Sequence, residues 1–218
     1  MKITIESPFV QAGMKATNLL IVNFWLVVGC IPVVTAGASV TAAFTVLLKM
    51  SEDREDVGIT RAFWAAWAAN LKHGVLLTLA LLACAWSAWM SWQLFEKLPD
   101  NPVGFLIVAF LVVLLAFTHF AYVFPLEARY KNSLLQQMRN SRLICIRFFG
   151  KTTMLAGVLG LQVLIFGFTA PVLTYAGIFF APALAVYTTC QVAMPIFRTL
   201  EGNGMADDGI TISSERDW

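Results

Sequence analysis

The 218-residue chain is 59% hydrophobic and only 13% charged, and its formal net charge is +2. Soluble domains carry roughly 25% charged residues, so this composition excludes a water-soluble domain with an ordinary polar surface. We therefore expect the lipid bilayer to be the main surroundings of the chain, and we expect no nucleic-acid partner.

The first apolar run is interrupted at its centre. Residues 23–44 carry no charge, yet they include Pro32, Gly37 and three hydroxyl residues, which are Thr35, Ser39 and Thr41. One reading is a single membrane span. The other, which we favour, is a broken or re-entrant hairpin with a span over about residues 17–34 and a half helix over 38–50. Thirteen helical residues rise only about 20 Å, which is less than the ~30 Å hydrocarbon core.

Three further uncharged runs follow. Residues 74–95 and 103–125 are each long enough for one transmembrane helix, and the run from 152 to 197 is long enough for two, over 152–169 and 178–197. A break is predicted at 171–177, where a proline and a glycine bound the segment. Because these runs do not alternate in polarity, helices and not a barrel must satisfy the backbone in lipid.

The predicted fold is therefore all-α. It is a polytopic helical membrane protein with about five full transmembrane helices and the broken N-terminal hairpin. Residues 1–201 form a single membrane domain, and residues 202–218 are predicted to be a polar, disordered cytoplasmic tail.

Two basic loops between the spans also show helical periodicity. In the first loop, Ile59, Phe63 and Trp67 recur at helical spacing, which suits a helix on the membrane surface. In the second, four apolar residues fall within one narrow arc: Leu135, Met138, Ile146 and Phe149. Such basic helices serve either as positive-inside anchors or as binding sites for anionic lipid or a partner protein.

The distribution of Lys and Arg predicts the orientation. With a hairpin at the N-terminus, fourteen of the fifteen basic residues lie on one side of the membrane, and Lys97 alone lies on the other. A single span would place twelve on that side. We therefore expect both basic loops and the C-terminus to be cytoplasmic in a multi-pass protein of the bacterial cytoplasmic membrane.

No catalytic pattern is evident in the sequence. It contains no P-loop, HExxH or GxSxG motif, and its four cysteines lie in separate segments without metal-ligand spacing. Glu127 and Arg129 follow Pro125 at the end of a span, where an ion pair that fixes the helix end is the favoured interpretation. We predict no enzymatic activity, no metal and no cofactor.

Several short motifs resemble the YesL family of bacterial membrane proteins. The family's N-terminal signature, approximately NLLWLL…PIVTIGAS-TAL, is similar to residues 23–43 of this chain, although Ala36 replaces a branched residue. Further similar elements are Phe63, Asn70-Leu71-Lys72, YVFPLEARY at 122–130, Asn140 and IFRTLE at 196–201. Ala68 and Ala69 replace a usual charged pair. The candidate functional motif consists of Asn23, Pro32, Thr35, Gly37, Ser39, Thr41, Asn70, Tyr122, Pro125 and Arg129.

The resemblance implies a membrane protein that has no assigned biochemical activity and is associated with sugar-uptake systems. We therefore expect an accessory or scaffold protein that packs against a sugar-uptake permease or a second copy of itself. The alternative is a small-solute transporter, with the breaks at 32–39 and 171–177 lining a solute path, since discontinuous helices are where transporters bind substrate.

Overall fold

The computed structural model describes residues 8–52, 58–98, 102–168, 171–202 and 210. The described part of the chain is helical and contains no β-strand, which confirms the predicted fold class. Its helices are α1 Pro8–Cys30, α2 Ala36–Ser51, α3 Ile59–Ala69, α4 Leu71–Lys97, α5 Val103–Phe120, α6 Val123–Arg129, α7 Leu134–Arg147, α8 Phe149–Phe168 and α9 Pro171–Gly202.

Six segments of the described chain are long and apolar enough to cross a membrane. They are Gly13–Cys30, Val33–Ser51, Leu71–Lys97, Val103–Arg129, Phe149–Phe166 and Phe180–Gly202. The sequence predicted about five full spans and one half helix. The difference is the segment Val33–Ser51, which includes a 3₁₀ turn and is longer than the predicted half helix.

The predicted N-terminal break is present. Helix α1 ends at Cys30, and a single 3₁₀ turn at Val33–Thr35 leads into α2. The break is shorter than predicted, because residues 36–39 already belong to α2. Helix α1 packs against α2, Gly29 of α1 lies beside Ser39, and residues 15–19 and 47–51 line the same pocket, so the two helices form an antiparallel hairpin.

The predicted break at residues 171–177 is wrong in its position. These residues form the first turns of α9, and α8 ends at Phe168. Pro171 is the first residue of α9, where its missing N–H has no helical partner to lose. The interruption therefore precedes the proline, and residues 169–170 lie outside the described part of the chain.

The predicted helix over 103–125 is also interrupted. Helix α5 ends at Phe120, and α6 begins at Val123. The proline ring at position 125 would collide with the carbonyl of Ala121 in a continuous helix, and no N–H is available there. The short break places Pro125 in the first turn of α6, where a proline is tolerated.

Both predicted loop helices exist, and the structure shows which face of each is buried. The apolar stripe of α3 packs into the bundle, with Phe63 fully buried against α1 and α2. In α7 the polar face is buried through Gln137, Asn140 and Ser141. The predicted apolar arc of α7 is largely exposed, because the helix uses its polar face to bind irregular backbone at the junction of α5 and α6.

Helix α2 is the centre of the bundle. It packs against α1, α3, α4, α6 and α9, and most of its residues are buried. A second buried cluster joins α6, α7, α8 and α9 around Tyr122, Tyr130 and Phe197. Ile210, within the tail predicted to be disordered, is buried in this cluster, whereas residues 203–209 and 211–218 lie outside the described part of the chain.

Candidate functional site

The three hydroxyl groups of the N-terminal motif bind the backbone of their own hairpin. Thr35 Oγ1 lies 2.9 Å from the carbonyl oxygens of both Gly29 and Pro32. Ser39 Oγ donates to Thr35 O at 3.2 Å, and Thr41 Oγ1 donates to Gly37 O at 2.9 Å. In a membrane-facing hairpin these bonds satisfy the polar groups that the turn at Pro32 exposes.

Gly37 is the contact point between α2 and α4. Its N–H donates to Thr78 Oγ1 at 2.7 Å, and Thr78 Oγ1 donates in turn to Gly74 O at 2.9 Å. A Cβ on Gly37 would overlap Gly74 O, and a Cβ on Gly74 would overlap the backbone of Ala38. Two glycines therefore let the helix backbones touch, as in close helix pairs of membrane proteins.

Asn23 bridges α1 and a proline in α9. Its Oδ1 accepts a bond from the N–H of Ala183 at 2.9 Å, in a buried position directly after Pro182. A proline inside a helix displaces the preceding turn and frees backbone groups near it. The Asn23 amide therefore satisfies a donor that the proline exposes.

We expect Asn23→Leu to lower the free energy of unfolding by about 1–3 kcal/mol, because a buried N–H loses its acceptor. The same substitution in a Pro182→Ala background should cost clearly less, since a regular helix supplies a carbonyl for Ala183. Denaturant titration in detergent of the wild type, the two single variants and the double variant measures the coupling between Asn23 and Pro182. Equal costs in the two backgrounds would contradict this role of Asn23.

Three other predicted residues lie at or near helix ends. Asn70 lies directly after α3. Its side-chain Nδ2 donates to Ala66 O at 2.8 Å, and its backbone carbonyl accepts the N–H of Gly74 in α4. The buried Tyr122 places its hydroxyl 3.2 Å from Thr152 Oγ1 of α8, and Pro125 is buried in α6. Asn70 therefore connects α3 to α4, and Tyr122 connects the junction of α5 and α6 to α8.

Arg129 is the centre of a buried ionic cluster that the sequence did not predict. Its Nη1 donates to Glu52 Oε1 at 2.6 Å, and its Nε donates to Glu201 Oε1 at 3.0 Å. The side chain also lies within 6 Å of the ring centres of Tyr130 and Phe197. One guanidinium thus links the ends of α2, α6 and α9.

Tyr130 completes the Arg129 cluster. Its hydroxyl donates to Glu201 Oε1 at 2.5 Å. Burial of the phenol, together with this bond to a carboxylate, raises the pKa of Tyr130. The phenol therefore stays protonated and remains a donor over the whole physiological pH range.

The predicted ion pair between Glu127 and Arg129 is not the arrangement found. Glu127 is fully buried and its Oε1 lies 2.8 Å from His73 Nδ1 of α4, whereas Arg129 binds Glu52 and Glu201. The one sequence signal that could have pointed to these partners is that Glu52 and Glu201 each lie just after a long apolar run. Their pairing with Arg129, 77 and 72 residues away, depends on the tertiary fold.

An apolar groove of about 580 Å³ opens halfway along the helices. Residues of α4 and α5 form one wall and residues of α9, with Leu159 of α8, form the other, while Val40 and Phe44 of α2 lie at its base. The lining is almost entirely carbon. Five of the lining residues are alanines: Ala85, Ala88, Ala116, Ala121 and Ala185.

A smaller pocket of about 410 Å³ is more polar. Lys15, Ser51, Tyr187 and Gln191 line it between α1, α2 and α9. Thr35, Ser39 and Thr41 line neither this pocket nor the apolar groove. Within the described residues, no group of three or more His, Cys, Asp or Glu side chains could hold a metal ion.

One comparison with known proteins gives a match. The family model for a protein of unknown function, DUF624, matches residues 16–91, which extend from α1 into α4 and include the hairpin and the Gly37–Gly74 contact. No curated protein and no solved structure matches the chain significantly. The match includes Glu52 and His73, but it ends before Glu127, Arg129 and Glu201.

Proposed function

We propose that this protein is a membrane scaffold that receives a transmembrane helix of a partner in the groove between the α4–α5 and α8–α9 hairpins. The observation that carries the proposal is the groove itself, which is apolar and open and has five alanines among its larger apolar lining residues. In lipid, helices associate mainly through close packing, and small residues allow that close approach. The five alanines provide such a surface at the middle of the bundle.

The alternative, a solute transporter, has less support from the described residues. A sugar path requires polar groups that face an aqueous cavity at membrane depth. Here the hydroxyls of Thr35, Ser39 and Thr41 donate to backbone carbonyls, and these residues line neither cavity. Residues 171–177, the second proposed break, are helical.

The proposed partner is a permease of a carbohydrate-uptake system, as the resemblance of the N-terminal motif implies. In this proposal the protein is not an enzyme, its C-terminus is cytoplasmic as the Lys and Arg distribution predicts, and a second copy is the other possible partner. The chemistry of the groove favours an apolar helix as the ligand, and the resemblance adds the sugar-uptake context.

Photo-crosslinking from two similarly exposed positions tests the proposal. Val113 lines the groove, whereas Leu164 lies on the side of α8 that faces away from the groove residue Leu159, and the two side chains are exposed at 57% and 58%. A photoreactive residue at Val113 should crosslink a permease helix in native membranes, whereas one at Leu164 should give lipid adducts. Equal adducts at both positions would contradict a specific groove partner, and saturable sugar flux through the purified protein in liposomes would favour the transporter.

A further inference from the structure

Helix α7 presents an unusual outer surface. Its buried face contains Gln137, Asn140 and Ser141, and Ser141 Oγ both accepts the N–H of Tyr122 and donates to Thr118 O. The opposite face carries what we call the outer stripe, defined as Leu135, Arg139, Arg142 and Ile146. These residues follow the spacing i, i+4, i+7, i+11 and so lie on one side of the helix.

The outer stripe exposes large apolar side chains between cations. Leu135 is 81% exposed and Ile146 is 67% exposed, while Phe149, the first residue of α8, is 72% exposed. Arg139 and Arg142 are exposed as well, and neither forms an ion pair among the described residues. A helix face in water gains nothing from such apolar exposure, so the stripe requires an amphipathic neighbour.

The charge of the surrounding segment selects that neighbour. Residues 128–151 contain six Lys or Arg and no Asp or Glu. Arg129 is buried against carboxylates, whereas Arg139 and Arg142 of the outer stripe are exposed, as are Lys131 and Arg147 beside it. This positively charged surface is complementary to a ligand that presents many negative charges.

The position of α7 also favours a membrane as the neighbour. Phe148 alone separates α7 from α8, which is long and apolar enough to span the bilayer. Met154, near the start of α8, is exposed as Phe149 is, so the apolar surface continues from the outer stripe onto a lipid-facing helix. The stripe therefore lies where a bilayer changes from headgroups to acyl chains.

We propose that the outer stripe of α7 binds the anionic phospholipid headgroups of the membrane surface. Leu135 and Ile146 enter the boundary of the acyl chains, as the apolar face of an interfacial helix does. Arg139 and Arg142 bind lipid phosphates, for which the planar guanidinium is suited. The buried polar face of α7 packs against α5 and α6 and fixes the orientation of the helix. The outer stripe is therefore already formed before lipid binds.

Hydrogen–deuterium exchange of segment 134–147 tests this proposal in the purified protein. The protein is placed in nanodiscs of phosphatidylcholine alone or of phosphatidylcholine mixed with phosphatidylglycerol. Each cation near an anionic surface contributes about a fivefold factor, so two arginines should slow exchange in the mixed discs roughly 10- to 30-fold. High salt should remove most of the difference.

Matched variants assign the effect to the outer stripe. Arg139→Gln with Arg142→Gln should remove the lipid dependence, and Arg61→Gln, on the exposed side of α3, should retain it. If the double variant does not fold, the lipid and salt dependence of the wild type decides alone. Equal exchange in both lipids would overturn the proposal. Protection that appears in native membranes and not in mixed nanodiscs would also overturn it and would identify a protein partner.

Discussion

Replacing Arg129 with methionine is expected to lower the free energy of unfolding by about 3 kcal/mol or more. Removal of one partner of a buried ion pair costs about 3–5 kcal/mol, because the remaining charge is left without compensation. Here two carboxylates, Glu52 and Glu201, would face each other at the ends of α2 and α9. Glu201 keeps partial contact with water, which places the expected loss near the lower end of that range.

The measurement is denaturant titration of the purified protein in detergent, with Arg142→Met as the matched control. Arg142 is exposed, so its substitution should change stability by no more than about 0.5 kcal/mol. Adding Glu52→Gln and Glu201→Gln to Arg129→Met should recover part of the loss, since the repulsion is removed. A loss no larger than that of Arg142→Met would show that the cluster does not hold the three helices together.

The second large effect is expected at the contact of α2 with α4. Gly37→Ala should destabilise the protein by about 2 kcal/mol, because the new methyl group overlaps a backbone carbonyl that cannot rotate away. The N–H bond from Gly37 to Thr78 would lengthen as the helices separate. Gly37→Leu should be more damaging still.

Gly157→Ala is the control for this prediction. Gly157 lies in α8 with nothing within 4 Å of an added Cβ, so alanine should stabilise that helix by up to about 1 kcal/mol. The two substitutions are chemically identical and are expected to have opposite signs. Thermal unfolding of both variants checks this, and a Gly37→Ala protein as stable as the wild type would contradict the close contact.

Most of the helices could be predicted from the sequence, because their causes are local. Long uncharged runs require helices in lipid, since no water is present to satisfy the backbone. A proline followed by a glycine and hydroxyls predicted the break near Pro32, and the structure has it there. The breaks near Pro125 and Pro171 differ from expectation because a proline fits the first turn of a helix and therefore begins one.

The faces and partners of these elements depended on the tertiary structure. In α7, periodicity grouped the apolar residues on one face, and only the structure shows that Gln137 donates to Leu126 O and Tyr130 O and that the polar face is the buried one. Burial also raises the pKa of Cys145, on the same helix, to about 11, which keeps its thiol protonated. The bonds from Gln137 satisfy backbone carbonyls that lie outside α7. The periodicity of a helix cannot predict such partners, because it describes only the helix itself.

The candidate motif likewise has features that the sequence shows and contacts that only the tertiary structure reveals. Its residue types were visible in the sequence as hydroxyls, a glycine and an asparagine in an apolar run, but their partners were not. Only the tertiary structure decided that Gly37 meets Gly74, that Asn23 meets Ala183 and that Arg129 joins Glu52 to Glu201. The physical reason is that such contacts join residues from 37 to 160 positions apart, and their geometry is set by how the helices pack and not by any local pattern.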